Sequence, residues 1–378
     1  MANISLLLMG CGGVGRQLLQ HIVSCRTLHA KQGVRLRVVG VCDSKSMVAA
    51  SDDVSTSELD DEFLKQICRV KSIGSSFLEL AHLGKCKVFS GQDVAREVIN
   101  IASILRKSLG LTLVDCSASS QTTAMLGQAL NLDSCVVLAN KKPLTSSLED
   151  YDKLVSQPRR IRHESTVGAG LPVISTINRI LSSGDPINRI MGSLSGTLGY
   201  VMSEVESGRP FSQVVNDAKQ LGYTEPDPRD DLGGMDVARK ALILARLLGH
   251  RIEMDSIKVE SLYPAEMGPD VMPLEEFLVK GLPALDKDIE KRIKDASSRG
   301  NALRYVCLIE TSKCEVGIKE VAKDSALGRS KGSDNVLEVY SRCYEQQPLV
   351  IQGAGAGNDT TAAGVLADIV DLQDLFRH

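Results

Sequence analysis

The chain opens on a short apolar run, Ile4–Met9, broken only by Ser5, and passes at once into Gly10-Cys-Gly-Gly-Val-Gly15. A run that short, stopped by glycine, reads as a buried strand. From Val14 to Cys25, residues Val14, Leu18, Leu19, Ile22 and Val23 share one helical face. Strand, glycine turn and helix in that order form the context in which G-x-G-x-x-G holds a dinucleotide. The first glycine permits the tight turn, the second admits a pyrophosphate to the backbone, and the third lets helix and strand pack closely. The free amides and partial positive charge of the helix N-terminus face the phosphates. The alternative is a turn with a structural role alone.

The alternation continues. Val34–Cys42, Leu111–Cys116 and Cys135–Ala139 read as strands, and Asp60–Val70, Gln92–Leu105 and Thr122–Leu130 as helices. This predicts an α/β fold, a Rossmann-type domain over residues 1–150 with a parallel sheet and helices on both faces. The pattern changes after a polar connector at 156–163. Helices are expected at Pro172–Leu181, Tyr200–Glu206 and Asp236–Leu248. Strands are expected at Asn188–Leu194, Ile257–Glu260, Leu303–Glu310, Cys314–Val321, Val336–Arg342 and Leu349–Gln352. Residues 151–345 therefore read as an α+β domain with a mixed or antiparallel sheet. A C-terminal segment, 346–378, ends in a helix over Thr360–Leu372.

Composition excludes several classes of function. Net charge is −3 over 378 residues, so no basic field draws nucleic acid or an anionic membrane. Aromatics are 3% with no Trp, which leaves no platform for base stacking. No apolar run approaches the ~20 residues that span a bilayer. The apolar start lacks a basic leader, so it is expected to be the first strand and not a targeting segment. The 10 cysteines form no Cys-x-x-Cys, which predicts buried thiols and a reducing compartment, cytoplasmic or an organelle stroma. The six histidines have no metal-ligand spacing, so zinc is not expected.

Five further segments can carry chemistry. Asp43 ends the second strand, where an acidic residue bonds the ribose 2′-hydroxyl of NAD and repels the 2′-phosphate of NADP. Ser44, Lys45 and Ser46 follow and could cradle a phosphate instead, and a helix cap at Asp43 is the plain alternative. Ala139-Asn-Lys-Lys-Pro143 follows a buried strand, where a parallel sheet places its ligands. Lys141 there can donate to an oxygen, or be one of two surface lysines. His163-Glu-Ser-Thr-Val-Gly-Ala-Gly-Leu-Pro172 exposes backbone, and its carbonyls with Glu164 could hold a cation or the nicotinamide end. Gln352-Gly-Ala-Gly-Ala-Gly357 permits close approach of a ligand or closes a domain.

The fifth segment is Gly222-Tyr-Thr-Glu225-Pro-Asp227-Pro-Arg229-Asp230-Asp231, leading to Asp236 and Lys240. Two prolines stiffen it. Four carboxylates crowd Glu225–Asp231 and call for a cation among them, a substrate ammonium or a metal. Asp236 and Lys240, four apart, share a helix face. Lys240 is placed to move a proton. The alternative is a solvated loop with Asp236 as helix cap.

These segments, together with Ser193-Leu-Ser-Gly-Thr-Leu-Gly-Tyr200 and Gln352–Ala362, resemble homoserine dehydrogenase over almost the whole chain. The 222–240 stretch is the most specific. The resemblance implies the short monofunctional form, without an aspartate kinase module or a C-terminal regulatory domain. It implies reversible reduction of L-aspartate 4-semialdehyde to L-homoserine with NADP or NAD, in threonine, methionine and isoleucine biosynthesis. It implies Lys240 and Lys141 as catalytic, and Thr197, Tyr223, Glu225, Asp231, Asp236 and Lys240 as substrate-binding. It implies Gly10, Gly12, Gly13, Val14, Gly15, Asp43, Ser117, Lys141 and Gly355 at the cofactor. Glu164, Val167, Ala169 and Leu171 match a sodium site, the last three through carbonyls. A homodimer with a small-molecule substrate is implied, with no nucleic acid or membrane partner. A dehydrogenase of another small hydroxy amino acid, or a non-catalytic NAD(P)-binding regulator, is the alternative. Aspartate-semialdehyde dehydrogenase is disfavoured, since its chemistry needs a cysteine nucleophile and Cys116 has no evident histidine partner.

Overall fold

The computed structural model describes residues 1–50, 53–84, 86–108 and 110–376. The chain divides into two compact units: residues 1–170 with 357–378, and residues 171–356.

The first unit is built on strands β1 (Ala2–Met9), β2 (Val34–Cys42), β3 (Ser46–Ala50), β4 (Cys86–Ser90), β5 (Thr112–Asp115), β6 (Cys135–Leu138) and β7 (Ile161–Arg162). Their order is β4-β3-β2-β1-β5-β6-β7. β1 pairs in parallel with β2 and β5, and the parallel run continues through β6 and β7. The central strands are buried on both faces, which explains their unbroken Val, Leu and Ile content. The sheet is not parallel throughout, however. β3 runs antiparallel to β2, and β4 to β3. Asp43–Ser46 is a hairpin turn between β2 and β3, with no helix in between.

Helices Gly13–Ser24 and Asn358–Asp371 pack together on the sheet. Leu18, Leu19 and Ile22 of the first meet Val365 and Ile369 of the second above Ile4, Leu6 and Leu8. Burying such an aliphatic side chain stabilises by about 1.5–3 kcal/mol, so this contact holds the last turns of the chain to the first unit. The division falls at 170/171 and 356/357, not at 150 and 345. β7 still extends the first sheet, and the strand at Leu349–Gly353 still belongs to the second.

The second unit has β8 (Ile187–Ser193), β9 (Lys258–Val259), β10 (Asn301–Glu310), β11 (Lys313–Ala322), β12 (Asn335–Ser341) and β13 (Leu349–Gly353), in the order β13-β12-β8-β10-β11-β9. All neighbours are antiparallel except β11 and β9. β9 is shorter than Ile257–Glu260 because only two residues pair with β11. Helix Met235–Leu247 packs on β10 and β11 with Val237, Ala238, Ala241, Leu242 and Ala245 buried.

Candidate active site

The first unit places the glycine turn at the carboxyl end of β1. Gly10 sits at φ +90, and a side chain on Gly15 would collide with the Gly10 carbonyl. Only glycine serves at both positions. Gly12 caps helix Gly13–Ser24 with no side chain bonded to its first amides, and the space where its side chain would be is open. An unfilled helix N-terminus with clear space before it fits a pyrophosphate. Gly13 abuts the Asn358 side chain of the last helix, and Val14 packs on the core beside it.

Ser117 stands over Gly10 from the end of β5, and its amide donates to Asp115 Oδ1 at 2.9 Å. Asp115 is fully buried and also accepts from Thr122 Oγ1 at 2.7 Å and Asn140 Nδ2 at 3.0 Å. Asp115 and Asn140 thus tie the ends of β5 and β6 together and set the backbone from which Lys141 departs. The sequence does not single out Asp115, and it shows Asn140 only as part of the segment Ala139–Pro143. An aspartate ending the apolar run Leu111–Val114 was the available signal.

An open cleft of about 580 Å³ runs from Gly10–Gly12 past Cys116–Ala118 to Asp43, Lys45 and Lys71. It brings Gly10, Gly12, Ser117 and Asp43 together, whereas Lys141 is not in its lining. Asp43 is neither free nor a helix cap. Its Oδ1 accepts the amides of Lys45 and Ser46, both at 2.8 Å, and its Oδ2 takes Lys71 Nζ at 2.8 Å. Burial pushes the Asp43 carboxyl up, but Lys71 and these amides outweigh it and hold it below its usual range.

Glu164 and Val167 lie after β7, with Ala169 at φ +56, a left-handed position uncommon outside glycine. Leu171 opens the second unit, and its carbonyl already accepts the Val173 amide at 2.8 Å. The Glu164 amide donates to Asp368 Oδ2 at 2.9 Å. Burial pushes the Asp368 carboxyl up to about 7. Among the described residues no group of three His, Cys, Asp or Glu is placed to hold a metal. A cation here would therefore rest on Glu164 and backbone carbonyls, the donor set of a weakly held monovalent ion.

The second unit gathers the rest. Lys240, 9% exposed, donates to the Leu194 carbonyl at 2.7 Å and pairs with Asp236 Oδ2 at 2.9 Å. Asp236 is not the helix cap; Gly234 is, at φ +73, where any side chain would strike the Tyr305 hydroxyl. Asp231 accepts the Glu225 amide at 2.8 Å, and burial pushes its carboxyl up, with Glu225 and Asp236 adding to the rise. Thr197 Oγ1 donates to the Tyr223 carbonyl at 2.5 Å, and Tyr223 meets Tyr200 edge-on at 5.1 Å. Six predicted residues, Thr197, Tyr223, Glu225, Asp231, Asp236 and Lys240, thus lie in one continuous acidic patch around one buried ammonium.

The crowding of four carboxylates is relieved in part from within. Arg229, 3% exposed, pairs with Asp227 through Nε at 3.0 Å and Nη2 at 2.6 Å. It also donates to the carbonyls of Met267 at 3.1 Å and Met272 at 2.6 Å, and stacks over Phe277 at 5.0 Å. Asp227 is therefore spent on the loop's own structure. Glu225, Asp231 and Asp236 stand beside it, Asp231 bonded to the Glu225 amide and Asp236 to Lys240. Gly355, also in this unit, lies on Asn335, whose buried amide nitrogen and oxygen make no hydrogen bond.

A glycine turn at a sheet's carboxyl edge is the arrangement of a dinucleotide-binding protein, and the second unit carries an acidic patch around a buried lysine. The chain belongs to the homoserine dehydrogenase family. A family model for homoserine dehydrogenase matches residues 172–370. Homoserine dehydrogenase of Emericella nidulans is 41% identical over 72% of this chain and 78% of its own. The bifunctional aspartokinase/homoserine dehydrogenase of Haemophilus influenzae is 33% identical over 97% of this chain and 42% of its own length. The chain spans about two fifths of the length of such bifunctional relatives. A hyperthermophilic archaeal homoserine dehydrogenase, solved in complex with NADPH, shares the fold with a TM-score of 0.70 at 22% identity, over 100% of this chain and 99% of that one. No helix among the described residues is long and apolar enough to cross a membrane.

Proposed function

We propose that this chain interconverts L-aspartate 4-semialdehyde and L-homoserine with NAD(P)H. The observation that carries the reading is Lys240, buried and fixed by Leu194 and Asp236 at the head of the acidic patch. Glu225, Asp231 and Asp236 attract the substrate ammonium, and Thr197 and Tyr223 line the same patch. Lys240 Nζ donates a proton to the aldehyde oxygen as it becomes the alcohol and takes it back in the reverse direction. The bound cofactor supplies or accepts the hydride. Gly10, Gly12, Gly13, Val14, Gly15 and Ser117 hold its phosphates, and the family likeness assigns Lys141 and Gly355 to the cofactor as well. The family likeness makes Lys141 a second catalytic lysine. Glu164 with the carbonyls of Val167, Ala169 and Leu171 seats a sodium ion. The homodimer and a cytoplasmic or stromal location rest on the family likeness alone.

Cys116 is half-buried, and loss of solvent around its sulfur pushes the thiol well above its usual range. That opposes its use as the nucleophile of a phosphorylating semialdehyde dehydrogenase. Initial rates test the reading. Homoserine added to enzyme and oxidised cofactor should produce reduced nicotinamide, and the semialdehyde should consume it without phosphate. No turnover in either direction with either cofactor would overturn it.

A further inference from the structure

Asn335 opens β12 and is 1% exposed, yet neither the nitrogen nor the oxygen of its side-chain amide has a hydrogen-bond partner. The strand around it is fixed on both sides. Asn335 pairs with Gly353 of β13, and the next residue, Val336, pairs with Ser193 of β8. One step beyond Ser193 is Leu194, whose carbonyl accepts Lys240. Over the amide lies Gly355. A side chain on Gly355 would overlap Nδ2 and Cγ of Asn335, so the Gly355 backbone rests directly on the amide. Gly355 is buried between exposed Ala354 and Ala356, and the stretch Gly353–Ala356 presents backbone and nothing larger than a methyl group. A primary amide carries both donors and an acceptor, the complement of a peptide's C=O and N–H. Burying it unpaired is unfavourable, and an apolar side chain of the same shape would avoid that cost. An asparagine here points to a second arrangement of the loop, in which the amide is paired.

We infer that Asn335 is a positioning residue for the dinucleotide: its amide bonds the backbone of Gly353–Ala356 when the cofactor is bound and so fixes the place of Gly355. This deepens the proposed function and rests on its assignment of Gly355 to the cofactor. Asn335 touches no reacting atom. In the free chain the loop is packed on the amide without being bonded to it. Contact with the dinucleotide turns the peptides that face Asn335, so that Nδ2 donates to a carbonyl and Oδ1 accepts an amide. Two neutral hydrogen bonds, each contributing about fivefold, raise dinucleotide affinity by about tenfold or more.

Fluorescence titration of the full chain with NADPH and NADH, without homoserine, reads dinucleotide affinity apart from catalysis. Asn335→Leu keeps the size of the side chain and removes its polar atoms. The expected result is a Kd for the preferred dinucleotide raised about tenfold, with an unfolding midpoint in chemical denaturation equal to or above that of the unmodified chain. A residue needed only for the fold would lower the midpoint instead. Asn335→Ser, which keeps a donor and an acceptor, should bind the dinucleotide more tightly than Asn335→Leu. Initial rates of Asn335→Leu should show the KM for cofactor raised about tenfold, with kcat and the KM for homoserine within about threefold. An unchanged Kd in Asn335→Leu would overturn the inference. So would a Kd and a midpoint that both worsen with no recovery in Asn335→Ser. An unmodified chain that binds neither dinucleotide would overturn the cofactor reading and this inference together. One whose dinucleotide affinity depends on Asn335 but that leaves homoserine untouched would overturn the reaction and keep the inference.

Discussion

Lys240→Ala is expected to lower homoserine turnover by about 10³-fold while dinucleotide affinity stays within a factor of two. General acid–base groups contribute roughly 10²–10⁴-fold, and Lys240 is a buried ammonium within the acidic patch. Its two bonds, to the Leu194 carbonyl and Asp236, fix the direction from which its proton is delivered. The same bonds give it a structural share. Removing a donor from a buried carbonyl costs about 1–3 kcal/mol, so the alanine variant should also unfold more readily. Lys240→Arg separates the two effects. A guanidinium keeps the positive charge beside Asp236 but does not give up a proton near neutral pH. Stability should return towards that of the unmodified chain while turnover stays low. Turnover within tenfold of the original in Lys240→Ala would remove Lys240 from the chemistry.

Arg229→Ala is expected to cost about 3 kcal/mol of stability, the lower end for breaking a buried ion pair. The half-buried Asp227 would lose its partner, and the carbonyls of Met267 and Met272 would lose their donor. Arg229 holds the Asp227 carboxyl well below the usual carboxylate range. Without it Asp227 returns to the repulsion among the remaining acidic groups, and the stretch carrying Glu225 and Asp231 loosens. The KM for homoserine should therefore rise at least tenfold, with a smaller change in kcat. Chemical denaturation and initial rates on the same preparation check both halves. An unchanged unfolding midpoint would show that Arg229 does not lock the loop.

Where apolar period and glycine punctuation agreed, local order alone announced the fold. Ile4–Met9 and Gly10–Gly15 imply strand, turn and helix because each residue's cheapest conformation is the one the fold uses. β3 and β4 were not legible. Ser46–Ala50 is short, and the Asp43–Ser46 turn before it carries residues that also suit a phosphate site. The position of Asp43 was plain, but its state was not. Lys71 reaches it from 28 residues away in the chain, and no periodicity encodes such a pairing. Arg229 was visible as one charge among many, and only the packed carbonyls of Met267 and Met272 reveal that it is buried. Asp115 and Asn140 illustrate the same limit. Buried polar residues earn their place through partners distant in sequence.

The acidic patch is the centre of the account, and a substrate without its ammonium group tests it most directly. The comparison is kcat/KM for L-homoserine against 4-hydroxybutanoate, which keeps the alcohol and the carboxylate and lacks the amino group. Losing a charge-assisted contact to Glu225, Asp231 and Asp236 should lower kcat/KM by about 10²-fold or more. Equal values for the two alcohols would mean that these carboxylates do not grip the substrate, and the assignment of the patch would fail.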